Sequence, residues 1–449
     1  MTTAAETREQ PGEPAPAREP FVYRSMLLLF IALVSCFLAW GIAADMTAPL
    51  VAAFKRIFEM STFQASLVQF AYYGAYFLLA LPAAFINKKF GYKAGILAGL
   101  GLASLGAFGF FPASRIMTYV VFLAALFVLA AGLSILETSA NPFVISMGPE
   151  SNATRRLNFA QAFNPVGTNI GVFLAATLIL PKLQSPVDRA SIAPDQLRAI
   201  QAAELRAVMV PYIGLALLLL FIWVAILLQR APQIREEFPT DVAGPRREST
   251  IGRLFANRRY RYGVIAQFFN IAAQVGTWTF TIQYVQQALG GSLQKGGYVL
   301  QVSLIIFLIS RFVMVWLMGY VRATVLLAVL GGLAVLLCLF AMFSPNITGV
   351  IAVVSLSFCL SLMFPTIYGV ALRGLGPDSK FGAAGLVMAI VGGAVEPLVQ
   401  GKVIDAVSPA FSYIVPAICY AIVMAYALFD LRAQPHLPGA MEQPTHAHA

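Results

Sequence analysis

The sequence predicts an all-α membrane protein: twelve transmembrane helices in two six-helix halves. Three observations carry this. The chain is 59% hydrophobic and only 11% charged over 449 residues, with a mean hydropathy of +0.78. Soluble domains carry about 25% charged residues. The remaining charges fall between apolar runs of about 20 residues or more, the length that crosses hydrocarbon as a helix. Finally, short motifs recur at one fixed spacing along the chain.

The apolar runs predict spans at 24–50, 64–86, 92–112, 116–146, 157–181 and 208–229, then 261–287, 297–320, 323–344, 347–372, 381–404 and 409–431. Before them, residues 1–23 are rich in Pro, Ala and Glu, lack the apolar core of a signal peptide and read as a disordered cytoplasmic tail. Residues 433–449, ending in "HAHA", read as a second tail. The first half is 24–229, the second 261–432, with a basic cytoplasmic linker at 230–260.

Orientation follows from Lys and Arg. With both termini inside, the cytoplasmic segments hold Lys88, Lys89, Lys93, Arg155, Arg156, Arg322, Arg373, Lys380 and the arginines of the linker. The outer loops hold fewer cations. The net charge of +10 is thus explained by topology. The aromatic residues lie in apolar runs rather than among basic ones, so no nucleic-acid surface is expected. Cys36, Cys338, Cys359 and Cys419 are dispersed in apolar runs, and all three histidines lie in the C-terminal tail. No metal site, cofactor or disulfide framework is expected. A proton carried through the bilayer would have to ride on a carboxylate.

The halves repeat. "FGYK" at Gly91 matches "MGYV" at Gly319, and "GPES" at Gly148 matches "GPDS" at Gly376, each pair 228 positions apart. Duplicated six-helix halves with a substrate site between them are a common plan of secondary transporters. No nucleotide-binding G-x-x-x-x-G-K-[ST] loop is present.

Four ionisable residues fall deep within the predicted spans: Asp45, Glu137, Arg311 and Glu396. Such residues usually face a bundle interior or a water-filled path. Glu137 and Asn141 are four apart and share a helix face, and Pro142 frees a backbone carbonyl beside them. The next span aligns Asn158, Gln161 and Asn164 at steps of three, ahead of Pro165. The seventh carries Gln267, Asn270, Gln274, Trp278 and Thr281 at steps of three and four. Amides both donate and accept hydrogen bonds, as sugar hydroxyls do, and an indole offers a flat face to a sugar ring. Polar adhesion between helices is the alternative. Two aligned stripes favour a neutral polyol site, assigned here to Glu137, Asn141, Gln161, Asn164, Gln274 and Trp278.

"LETSANPF", "GPESNATRRLNFAQAFNPVG", "SLMFPTIYG" and "LVMAIVGGAVEPLVQG" resemble the fucose permease and glucose/galactose permease family of the major facilitator superfamily. "AQVGTW" and "GPDSKFG" resemble the fucose type more. The resemblance covers all but the tails. It implies the major facilitator fold, a monomer in a bacterial inner membrane, and uptake of a monosaccharide by proton symport. It implies that Asp45 and Glu137 are the essential carboxylates, and that Gln161, Asn164, Trp278 and Arg311 face the sugar. Two positions depart from it. Phe364 stands where the fucose type has Tyr, and Glu396 where an apolar residue is expected; both are candidates for setting selectivity. Glu396 is expected to face a water-filled outer cavity, out of contact with Arg311. The rival functions are a glucose/galactose importer, an exporter of drug-like solutes and a non-transporting sugar sensor.

Overall fold

The computed structural model describes residues 19–46, 54, 57–58, 62–179, 182, 193–229, 249–290 and 293–433. Nearly every one of these is helical, because a chain in lipid must satisfy its backbone groups within itself. The long helices are α1 (Leu27–Asp45), α2 (Thr62–Phe90), α3 (Tyr92–Phe108, continued by Phe110–Ile116), α4 (Tyr119–Ser146), α5 (Ala153–Gln161, Asn164–Leu174 and a π turn Ala175–Ile179) and α6 (Pro194–Leu228). The second set is α7 (Arg258–Leu289), α8 (Leu293–Leu317), α9 (Ala323–Phe343), α10 (Ile347–Leu360 and Met363–Leu372), α11 (Ser379–Met388, a 3₁₀ turn Ala389–Val391 and Gly392–Ala406) and α12 (Ile414–Ala433). Among the described residues, eleven of these segments are long and apolar enough to cross a membrane. The one outside that set is α7, which carries the amide stripe.

Two readings of the sequence need correction at the level of the helices. Residues 19–23, expected in a disordered tail, are seated where α4 ends and α5 begins: the Tyr23 amide donates to the Met147 carbonyl at 2.9 Å, and the Phe21 carbonyl accepts from Arg156 at 3.0 Å. Most of the linker, 230–248, and the tails 1–18 and 434–449 lie outside the described residues. Second, Asn158, Gln161 and Asn164 do not form one stripe. Helix α5 breaks at residues 162–163 ahead of Pro165, which turns the three amides toward different neighbours.

Glycines set the closest helix contacts. A Cβ on Gly41 of α1 would lie 2.1 Å from the Asn164 carbonyl oxygen of α5, and one on Gly167 would lie 2.0 Å from the Leu38 oxygen. Gly99 and Gly132 bring α3 onto α4 in the same way, with a Cβ on Gly132 only 2.2 Å from the Ala103 nitrogen. Small residues let backbones meet where lipid supplies no hydrophobic drive.

Helix ends are held by buried charge. The guanidinium of Arg156, fully buried, donates to the carbonyls of Val144 (2.8 Å), Gly148 (3.1 Å) and Pro149 (3.3 Å), and also to Ile145. It therefore caps the end of α4. Asp430 of α12, also buried, pairs with Arg259 of α7 at 2.7 Å and accepts from the Thr324 hydroxyl of α9 at 3.2 Å.

The two sets of helices meet at the end that holds most Lys and Arg. There α11 packs on α2 and α4, and α10 packs on α5. Two cation–π contacts cross this seam reciprocally: Lys88 of α2 lies 5.6 Å from the Phe381 ring of α11, and Lys380 of α11 lies 5.4 Å from the Tyr92 ring of α3. Phe85 meets Phe381 edge-on at 5.1 Å. Each exposed cation–π contact contributes about 0.5–1 kcal/mol. Replacing Lys88 and Lys380 together by Gln should therefore raise the fraction of molecules with these ends apart by about five- to thirtyfold. Spin labels at positions 90 and 377, measured by pulsed electron resonance, report this as growth of a longer-distance population.

Candidate functional site

Asp45 ends α1 and is partly exposed. The close approach at Gly41 and Gly167 brings α5 alongside, and the Thr168 hydroxyl stands beside the Asp45 carboxylate. Glu137, on α4, is 1% exposed. Between the two acids stand tyrosines of α2. Tyr72 lies within electrostatic reach of both Asp45 and Glu137. Tyr73 is near Asp45, and Tyr76 is near Glu137. The Tyr72 hydroxyl meets the Tyr76 hydroxyl at 3.4 Å, and the Trp40 indole donates to Tyr76 at 2.7 Å. Among the described residues, neither acid is paired with a cation.

A second chain of contacts runs from Glu137 across to the other helix set. Asn141 stands beside both the Glu137 carboxylate and the Tyr368 hydroxyl of α10. Its Oδ1 accepts from Gln161 Nε2 at 2.8 Å. Pro165 has no N–H for the carbonyl of Gln161, four residues earlier. Arg311 of α8 takes that carbonyl instead, donating at 3.0 Å. The guanidinium lies 4.9 Å from the Phe307 ring, which meets Trp278 edge-on at 5.0 Å. The Trp278 indole donates to Ser357 at 3.0 Å. Glu137, Asn141, Gln161, Arg311 and Trp278 thus form one connected set.

The set is polar and under-satisfied. Both oxygens of Glu137, Nδ2 of Asn141, Nε of Arg311, the Tyr368 hydroxyl and the whole side-chain amides of Gln267 and Asn270 are buried without a well-formed hydrogen bond. Each such group costs about 1–3 kcal/mol unless a ligand or water meets it. These orphaned donors and acceptors come from both helix sets.

The remaining candidates fall outside this set. Asn164 donates to the Phe37 carbonyl of α1 at 3.5 Å, and Asn158 reaches Thr366 of α10 at 3.3 Å. Gln274 is partly exposed on α7. Phe364 is buried and stacks on Tyr368 with ring centroids 6.1 Å apart, one turn from the Asn141 contact. Glu396 is the clear departure. It is 3% exposed, and its carboxyl lies on the backbone of α7 at Gly276, not in an open cavity. Close packing of α11 on α7 at glycines covers it.

Tyr72, Tyr73, Tyr76, Thr168, Phe307 and Tyr368 are site residues that the sequence reading missed. The run "QFAYYGAYF" held a usable signal, since Tyr72 and Tyr76 are four apart and share a face. The others carry no local signature.

A family model described as Major Facilitator Superfamily matches residues 28–395. The chain belongs to the major facilitator superfamily. Among curated members of this superfamily, the L-fucose-proton symporter of Haemophilus influenzae is 38% identical over 416 residues, covering 90% of this chain and 96% of that protein. The Escherichia coli L-fucose-proton symporter is 36% identical over 412 residues, covering 90% and 94%. A glucose/galactose transporter of Brucella abortus is 32% identical over 415 residues, covering 92% and 95%. A crystal structure of the E. coli fucose:proton symporter superposes with a TM-score of 0.83 at 34% identity, covering 91% of this chain and 99% of that one. The twelve-helix architecture is therefore that of the superfamily, and the chain is a multi-pass membrane protein of a transporter family rather than an enzyme.

The Arg311 bridge has a direct test. Arg311→Ala leaves the Gln161 carbonyl buried and unmet, which costs about 1–3 kcal/mol. Adding Pro165→Ala supplies an N–H to that same carbonyl. The double variant should recover part of the thermal stability lost by Arg311→Ala. No recovery would show that the freed carbonyl is not what Arg311 serves.

Proposed function

We propose that this chain imports a monosaccharide of the L-fucose type by proton symport through alternating access. In this reading it works in the inner membrane of a bacterium, as a monomer with both termini cytoplasmic. The observation that carries it is the pair of intramembrane acids without a cation, Asp45 and Glu137, joined by tyrosines and ending on an amide cluster.

Asp45, partly exposed and beside Thr168, takes up the coupled proton. Neutralising it removes the cost of an uncompensated charge as the helices close around it. Glu137 accepts hydrogen bonds from sugar hydroxyls and links binding to protonation through Tyr72 and Tyr76. Asn141, Gln161 and the amides of α7 meet further hydroxyls, and Trp278 stacks on the ring. Arg311 holds α8 to α5 behind the sugar. Phe364, stacked on Tyr368 where the fucose type has Tyr, sets the ranking among related sugars. The relatives named for L-fucose and for glucose/galactose support the substrate class.

The energetics suffice with one proton. A charge falling through 100 mV yields about 2.3 kcal/mol, and one pH unit adds about 1.4 kcal/mol. Each tenfold of sugar gradient costs about 1.4 kcal/mol, so several hundredfold accumulation is attainable.

Uptake of labelled L-fucose, D-galactose and D-glucose into proteoliposomes, with and without a proton gradient, tests the reading. Gradient-dependent accumulation with L-fucose preferred is expected; accumulation of none of the three would overturn it. Asp45→Asn should abolish accumulation while exchange of internal for external sugar continues. A variant that still concentrates sugar would remove Asp45 from coupling. Glu137→Ala should weaken sugar binding at least about tenfold, since a bond to a charged acceptor is worth about 1.5–3 kcal/mol. Calorimetry on purified protein measures this, and unchanged affinity would leave Glu137 without a role in binding.

A further inference from the structure

Glu396 has no part in the site described above, yet it is an acid buried without a partner. Both its oxygens lack a hydrogen bond. The carboxyl lies flat on α7: a Cβ built on Gly276 would stand 1.9 Å from Oε2, 2.1 Å from Oε1 and 2.1 Å from Cδ. With the carboxyl in this place, a side-chain carbon at 276 would force it to move. From α12 the titratable neighbour is Cys419, and from the 3₁₀ turn Phe411–Tyr413 it is Tyr413. From α2, the Tyr73 hydroxyl lies one turn away, 3.3 Å from where a Cβ on Gly393 would be. On α11 itself, Gln400 is turned to Ser412, donating at 3.1 Å. Among the described residues no Lys, Arg or His is paired with Glu396.

The internal repeat gives this position a counterpart. Residue 396 follows residue 168 by 228 positions, the spacing that relates Gly91 to Gly319 and Gly148 to Gly376. The backbone obeys the same spacing, because the turn Ala389–Val391 in α11 answers the break after Gln161 in α5. Thr168 sits on the fifth helix of the first half and touches Asp45, on the first helix of that half. Glu396 sits on the fifth helix of the second half and touches Gly276, on the first helix of that half. The two contacts join the same pair of helices in each half, although by that spacing Asp45 answers Ala273, one turn before Gly276. In one the acid belongs to the first helix, and in the other to the fifth.

We propose that Glu396 is a second proton-binding site, between the same two helices of its half as Asp45 and Thr168 are in theirs, and that α11 seats on Gly276 of α7 only while Glu396 carries its proton. An ionised carboxylate in this dry seam would have neither cation nor donor to offset the loss of its hydration. When α11 lifts from α7, water reaches the carboxyl and the proton leaves to it. Since α7 also bears Gln267, Asn270, Gln274 and Trp278, its movement carries half of the amide cluster. This rests on the proton-coupled reading, but its tests do not depend on transport.

Infrared difference spectra of the purified full-length protein between acid and alkaline pH read protonated carboxyls directly. A carboxyl C=O band lost on alkalinisation should be present in the wild type, retained in Asp45→Asn and missing in Glu396→Gln. A Glu396→Gln spectrum identical to that of the wild type would overturn the proposal. Failure of the wild type to accumulate any of the three sugars in a proton gradient would overturn the symport reading alone and leave the Glu396 band standing. The seat itself is tested by size. Gly276→Ala should lower the melting temperature when Glu396 is present and cost less when Glu396→Ala has emptied the space. An equal loss in both backgrounds would show that the carboxyl does not rest on Gly276.

Discussion

The backbone contact of α1 with α5 is the interaction on which the site depends. Gly41 and Gly167 allow it, because a side-chain carbon at either would lie within 2.1 Å of a carbonyl oxygen on the opposing helix. That approach sets Thr168 against Asp45. The same helix then breaks before Pro165, and the carbonyl of Gln161 turns out to meet Arg311 of α8 at 3.0 Å. One helix thus holds the partly exposed acid on one side and the link between halves on the other. The proline is used for the donor it lacks rather than for the bend alone.

Charge in this bundle is sorted by whether it has a partner. Arg156 spends its donors on carbonyls at the end of α4, and Asp430 is paired with Arg259. These fix helix ends. Asp45, Glu137 and Glu396 have no cation among the described residues. An uncompensated acid away from water is tolerated only in its neutral form or in a conformation that rehydrates it. That is the physical link between proton binding and helix movement in the proposed mechanism.

The halves share a plan but not a chemistry. Corresponding turns interrupt α5 and α11, and corresponding positions, Thr168 and Glu396, face the first helix of each half. Yet the tyrosine ladder belongs to α2 alone, whereas the long amide stripe belongs to α7. The first half is arranged around acids and hydroxyls, the second around amides and an indole. Arg311, Phe307 and the Asn141–Tyr368 contact are where the two chemistries meet.

Much of this was legible in order of residues. The apolar run lengths determined the membrane helices, since hydrocarbon thickness sets how many residues a helix needs. The charges between the runs set the basic end, the 228-position repeat set the two halves, and the cost of an acid in a span singled out Asp45, Glu137 and Glu396. Helical spacing paired Glu137 with Asn141. What the sequence left open is which helices meet. It aligned Asn158, Gln161 and Asn164, but the break before Pro165 rotated them onto Thr366, Asn141 and Phe37. It turned Glu396 to water, whereas Gly276 on another helix received it. Periodicity reports the face of a helix on which a residue lies. Only the packing of helices far apart in the chain decides whether that face meets water, a sugar or a glycine.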